Sequence, residues 1–110
     1  MLPASQRLLK KKDFEFVFLK GVRLRSTCFF LRAVKTKLPV SRIGFIVSKK
    51  VSLKATQRNL AKRRLRKAVG DNIIHLKHSY DIIITALPGI ATKNFSEIKQ
   101  EIGESFKQLK

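Results

Sequence analysis

Apolar positions recur along the chain in two periods, and the switches between them mark seven elements. From Lys10 to Lys20, Phe14, Val17 and Phe18 fall at i, i+3 and i+4, on one face of a helix. Asp13 near its start and Lys20 near its end suit the helix dipole, and Gly21 is placed to stop it. Phe16 lies off that stripe, so this short helix carries more apolar surface than one face buries. Val22, Leu24 and Ser26 then alternate with Arg23, Arg25 and Thr27 as a weak first strand. Phe29, Leu31 and Ala33 alternate with Phe30, Arg32 and Val34 as a stronger second one. Thr36–Ser41, with Pro39, reads as a hairpin-like connection. Ile43, Phe45 and Val47 then oppose Gly44, Ile46 and Ser48 in a third strand ending at Ser48-Lys49-Lys50.

The longest helical pattern runs from about Ala55 to Asn72. At about 100° per residue, Ala61, Leu65, Ala68 and Val69 gather into a core stripe. Arg58, Lys62, Arg63, Arg66 and Lys67 sweep the opposite half, and Gly70 and Asn72 are placed to end the helix. Tyr80–Leu87 is apolar and β-branched, as a fully buried strand is, and Pro88-Gly89 punctuates it. Ile98, Ile102, Phe106 and Leu109 line one face of a last helix, capped at Asn94 with Glu97 three residues on. The order α-β-β-β-α-β-α predicts a single α/β domain, an α+β sandwich with a mixed four-stranded sheet and helices packed on it. It spans residues 10–110 behind an N-terminal arm of residues 1–9. If strands three and four are parallel neighbours, the second helix crosses over between them, by default right-handed.

Charge adds what the pattern does not. The chain has 110 residues, one domain's length, with 25 Lys+Arg against 7 Asp+Glu and a formal net charge of +18 at pH 7. A domain this small repels itself at that charge unless a polyanion neutralises it. Nucleic acid is the first partner to consider and an anionic membrane surface the second. Cys28 is the only cysteine, so an intrachain disulfide is excluded and a reducing compartment is expected. No apolar run reaches membrane-spanning length, and the first residues lack a signal peptide's apolar core. A cytoplasmic, polyanion-binding domain is the expectation.

The sharpest chemistry lies in Gln57-Arg58-Asn59-Leu60-Ala61-Lys62-Arg63-Arg64-Leu65-Arg66-Lys67. Guanidinium forks grip phosphate oxygens, and Asn59 can donate to phosphate or accept from a 2′-hydroxyl. A merely solvated face would carry acidic i,i+4 partners, and none occurs between Ala55 and Val69. Ser48, Lys49, Lys50 and Lys54 add charge just before that helix. Phe14, Phe16, Phe18, Phe29 and Phe30 exceed what a small core buries easily, so at least one ring is expected to face solvent as a stacking platform for single-stranded bases. No catalytic constellation is present: His75 and His78 lack partner ligands, Asp71 and Asp81 are isolated, and no P-loop or Gly-rich dinucleotide turn occurs.

Four stretches together resemble the protein subunit family of bacterial ribonuclease P. They are Asp13-Phe14 with Val17-Phe18 and Gly21, Arg42-Ile43-Gly44-Phe45-Ile46-Val47-Ser48-Lys49-Lys50, Ala55 with Arg58-Asn59, Lys62-Arg63 and Arg66, and Tyr80-Asp81-Ile82-Ile83-Ile84. The likeness runs from about Arg7 to Leu109. It implies a small α/β domain whose basic helix makes a left-handed crossover, against the default. It implies binding to a catalytic RNA that removes the 5′ leader of precursor tRNA, with magnesium held mainly by the RNA and none bound tightly by the protein. Precursor tRNA is then the second partner, and no membrane or obligate protein partner is implied. Carried over by position, Lys49, Lys50, Arg58, Asn59, Lys62, Arg63 and Arg66 are RNA-binding residues. Phe14, Phe18, Arg32 and Ser48 line the leader cleft, and catalytic and metal-binding residues of the protein's own are absent. The family's Arg-Asn-Arg signature reads Arg58-Asn59-Leu60 here, leaving Arg64, one turn on, as the substitute cation. A ribosomal or other structural RNA binder shares the charge but would ignore a single-stranded leader. A membrane-surface protein would instead gather its apolar residues into one exposed stripe.

Overall fold

Two unequal apolar layers organise the chain around one sheet. A computed structural model describes residues 10–109; the arm expected at residues 1–9 lies outside the described residues. The elements are α1 (Lys11–Lys20), β1 (Val22–Arg25), β2 (Phe29–Lys35), β3 (Arg42–Ile46), α2 (Ala55–Asn72), β4 (Tyr80–Ala86) and α3 (Phe95–Gln108), with 3-10 turns at Ile73–His75 and Pro88–Thr92. The order and type of all seven expected elements hold. The Cα radius of gyration is 12.9 Å, as one domain of this length requires.

The sheet runs β1-β2-β4-β3. β1 pairs antiparallel with β2, β2 antiparallel with β4, and β3 parallel with β4. The α2 crossover between parallel neighbours is therefore present. The hairpin expected at Thr36–Ser41 is not: β4 inserts between β2 and β3, so that segment steps over a strand position. β4 is central and buried on both faces, which explains its unbroken apolar run. The third strand stops at Ile46, and Ser48 opens a turn in which its Oγ accepts from Lys50 N at 3.3 Å and its carbonyl from Val51 N at 3.1 Å.

One sheet face carries the main core. Phe29, Leu31, Ala33, Ile43, Ile82 and Ile84 meet Ala61, Leu65, Ala68 and Val69 of α2 and Ile98, Ile102 and Phe106 of α3. The helix pair is pinned by Asn72, whose Nδ2 donates to the carbonyls of Ala68 and Lys99, both at 2.9 Å. Gly70 does not stop α2; it lies inside the last turns on the exposed side, and the helix runs to Asn72. At α3 the expected capping box forms, with Glu97 N on Asn94 Oδ1 and Asn94 N on Glu97 Oε1. Among the described residues the opposite face is covered only in part, by α1, around buried Val17 and Ile83 with Phe14 and Ile46 beside them. Gly21 ends α1 with an extended backbone; a Cβ there would collide with the carbonyl oxygen of Val17, so the residue is needed for close approach.

Candidate nucleic-acid interface

Helical geometry divides the surface of α2 into flanks. With Ala61, Leu65 and Ala68 buried, Arg58, Asn59, Lys62 and Arg66 fall on one flank, Arg63 points outermost, and Gln57, Leu60, Arg64 and Lys67 fall on the other. The second flank faces α3. Leu60 and Arg64 line a groove of about 360 Å³ with Lys54, Gln57, Ile90 and Ile98, and the Lys67 ammonium lies 5.3 Å from the Phe95 ring centre. Leu60 and Arg64 thus share one groove, as a substitution one turn on requires. Among the described residues no carboxylate forms an ion pair with any cation of α2. The acidic groups pair elsewhere: Glu15 with Lys11, Asp71 with Lys99, and Glu97 and Glu101 with Lys93.

Arg58 differs from its neighbours. Its Nη1 donates to the carbonyls of Ser52 and Leu53, each at 3.0 Å. It ties the turn carrying exposed Lys49 and Lys50 to the start of α2, and only the rest of its guanidinium is left to face a ligand. Sequence reasoning counted it as a purely outward cation.

The second surface is the part of the sheet that α1 leaves open. Strand register stacks its rows across the face: Arg23–Arg32–Ile83–Gly44, then Arg25–Phe30–Thr85–Ile46. Phe14 lies over Gly44, where a Cβ would come within 2.5 Å of Phe14 Cζ. Phe18 is 38% exposed, and Phe16 at 53% is more exposed still but sits on the far side of α1 from Phe14 and Phe18. Phe29 is fully buried in the main core, so of the five rings it is the one that packing claims outright. Arg32 lies between two rings, its Cζ 4.9 Å from the centre of Phe18 and 5.3 Å from that of Phe30. Its Nη1 donates to the Phe18 carbonyl at 2.6 Å, while its buried Nε has no hydrogen-bond partner. Phe14, Phe18 and Arg32 are therefore brought together on one face of the sheet, beside α1. Ser48 is exposed just beyond the end of β3, whose Ile46 lies on that same face. Arg23 and Arg25 join the same face by register, which local alternation alone could not assign.

Arg42 lies at the start of β3, on the same face. Its Nε and Nη2 donate to Asp81 Oδ1 and Oδ2 at 2.9 and 2.6 Å, and its Nη1 lies 3.3 Å from Asp13 Oδ2. The hydrogen bond to Asp81 raises the Arg42 pKa further above its ordinary value, against the opposing pull of burial. On the other sheet face, burial and then the nearby Glu101 charge push the Cys28 thiol up to about 12, so it is an inert core group. Among the described residues no three His, Cys, Asp or Glu side chains converge, and His75 and His78 are both exposed.

The chain thus carries a basic helix, whose cations have no carboxylate partner among the described residues, on one sheet face and partly exposed rings on the other. The ribonuclease P family model matches residues 2–110. The chain belongs to the ribonuclease P protein family. It is 36% identical over 105 residues to the ribonuclease P protein component of Legionella pneumophila (strain Corby), covering 96% of this chain and 90% of that one. It is 36% identical over 110 residues to that of Pseudanabaena sp. (strain PCC 6903), covering 99% and 91%. The ribonuclease P protein of Thermotoga maritima superposes with a TM-score of 0.85 at 25% identity, covering 94% of this chain and 97% of that one. The Staphylococcus aureus ribonuclease P protein gives 0.80 at 26% identity, covering 92% and 91%. The single domain with a mixed sheet and three helices is thus the ribonuclease P protein fold.

Proposed function

We propose that this chain, as the protein subunit of ribonuclease P, binds the catalytic RNA through α2 and the preceding turn and grips the 5′ leader of precursor tRNA in the α1 cleft. The observation that carries the reading is the presence of two surfaces: cations of α2 that meet no carboxylate among the described residues, and a sheet face beside α1 that carries Phe14, Phe18, Phe30 and Arg32. Cations without local partners bind phosphates by releasing counterions, and half-exposed rings bind unstacked bases. A ribosomal protein would need the first surface and have no use for the second; the relatives, all ribonuclease P protein components, also favour the first reading.

In this assignment the RNA carries the hydrolysis and holds most of the magnesium, which supplies the nucleophile and charge stabilisation there. The protein's own residues bind and orient. Lys49, Lys50, Asn59, Lys62, Arg63 and Arg66 contact RNA phosphates or hydroxyls, with Arg58 contributing the donors it does not spend on Ser52 and Leu53. The site of action is the cytoplasm.

The test is reconstitution with a bacterial ribonuclease P RNA at low magnesium, measuring affinity for precursor and mature tRNA. Phe18→Ala is expected to weaken precursor binding by about 1–3 kcal/mol, one base's stacking, with mature tRNA unaffected. Equal loss for both, with a lowered melting temperature, would mean the ring only packs. RNA-free protein is expected to leave precursor tRNA uncut under the same conditions; cleavage by it would place catalysis in the protein.

A further inference from the structure

We propose that Arg42 is a positioning residue for the leader cleft, clamping α1, with its rings Phe14 and Phe18, to β3 and β4 through Asp13 and Asp81. The proposal rests on the leader-cleft reading and adds what fixes the shape of that cleft.

The case begins with how little apolar contact holds α1. On its sheet face Val17 and Ile83 are the only fully buried apolar side chains among the described residues, with Phe14 and Ile46 packed beside them, whereas α2 and α3 share the main core. The remaining ties are polar and sit at the two ends of the helix. At the C-terminal end, Arg32 Nη1 holds the Phe18 carbonyl at 2.6 Å. At the N-terminal end, Arg42 holds Asp13 at 3.3 Å.

The Arg42 end is built for direction. Arg42 and Asp81 are register partners on the parallel β3–β4 pair, so their bidentate contact is set by the sheet. A planar guanidinium held along one edge presents its remaining nitrogen in a fixed direction. Asp13 meets that nitrogen, and the next residue, Phe14, lies on Gly44, two residues beyond Arg42. The strut and the ring are therefore adjacent on both elements. If Asp13 is released, α1 can pivot about Val17 and carry Phe14 off its seat and Phe18 away from the strand face. Stacking depends on that spacing.

Asp13→Asn isolates the strut. It keeps size and polarity and leaves the Arg42–Asp81 pair whole, so the fold is not put at risk as it would be by replacing Arg42. In the reconstituted holoenzyme, with Phe18→Ala alongside, melting temperature, assembly with the catalytic RNA and affinity for precursor and mature tRNA are measured. The expected result is a fall of about three- to ten-fold in precursor affinity, with mature tRNA affinity and RNA assembly unchanged and melting temperature nearly so. A merely structural strut would lower melting temperature and weaken both tRNAs equally, which would overturn the proposal. If Phe18→Ala lowers the precursor-to-mature ratio and Asp13→Asn does not, the clamp is wrong and the cleft stands. If neither variant changes the ratio, the leader-cleft reading fails and the clamp falls with it.

Discussion

Residue 44 has no side chain, and that vacancy is where Phe14 sits. A Cβ added there would come within 2.5 Å of Phe14 Cζ and 3.1 Å of Cε1, so Gly44→Ala must push the ring outward. The expected result is a loss of about 1–3 kcal/mol in thermal or denaturant unfolding, as for overpacking elsewhere, with precursor tRNA binding weakened more than mature. An unchanged melting temperature with unchanged precursor affinity would show that Phe14 is not seated there. Glu101 makes a second single-residue case. Burial pushes its carboxyl pKa up, but hydrogen bonds from the Ser26 and Thr27 hydroxyls and the Thr27 amide, with Lys93 nearby, outweigh it and hold the pKa below the usual range. A folded pKa below the unfolded one adds stability above the unfolded value and loses it as pH falls through the folded value. Glu101→Gln should therefore cost about 1–3 kcal/mol at pH 7 and flatten the acid side of the stability curve. A variant as acid-sensitive as the parent would assign that slope to other carboxylates.

At the scale of elements, α2 is stable because of what it buries, not because of what it displays. Leu65, Ala68 and Val69 are fully buried, while Arg58, Lys62 and Arg66 repeat like charges at i,i+4 along one flank and Arg63 repeats with Lys67. Reversing the outermost charge should relieve that repulsion. Arg63→Glu places an acid four residues before Lys67, in the favourable order, and is expected to raise stability by about 0.3–1 kcal/mol while weakening assembly with the catalytic RNA. Lower stability would mean that the display face is not self-repelling. The helix stripe, its flanks and the capping box at Asn94 were legible in the sequence because 3.6-residue periodicity and capping are local. The sheet order was not. Nothing near Thr36–Ser41 records that Tyr80–Ala86, some forty residues on, will sit between β2 and β3. For the same reason Phe14, Phe18 and Arg32, which share one sheet face, were grouped in the sequence only through the family likeness, while Arg23 and Arg25 were missed. Their place on the cleft face follows from register with Arg32 and Phe30, which only the paired strands reveal. The inward use of Arg58 was hidden similarly, because its acceptors are backbone carbonyls.

Over the whole molecule, the +18 charge is partitioned by where the few acids lie. Arg42, Lys93 and Lys99 each sit within 4.0 Å of a carboxylate, and no cation of α2 does among the described residues. The field is therefore strongest along α2 and the Lys49–Lys50 turn, and weaker around α3, where four of the seven acids of the chain, Asp71, Glu97, Glu101 and Glu104, lie on or beside the helix. This partition has a thermodynamic signature. A protein that neutralises about six to ten phosphates loses roughly 10³–10⁵ in affinity between 50 and 200 mM salt, and each contact contributes about 0.7–0.9 to the log–log slope. Affinity for the catalytic RNA measured across that salt range should fall steeply for the parent chain. Lys62→Ala should reduce the slope by about one unit, and Arg66→Ala likewise, because each removes a cation that RNA alone can neutralise. Lys99→Ala should leave the slope unchanged, since the ammonium it removes already lies 3.5 Å from Asp71 Oδ2. Equal slope changes from Lys62 and Lys99 would show that total charge, and not its placement on α2, governs binding to the RNA.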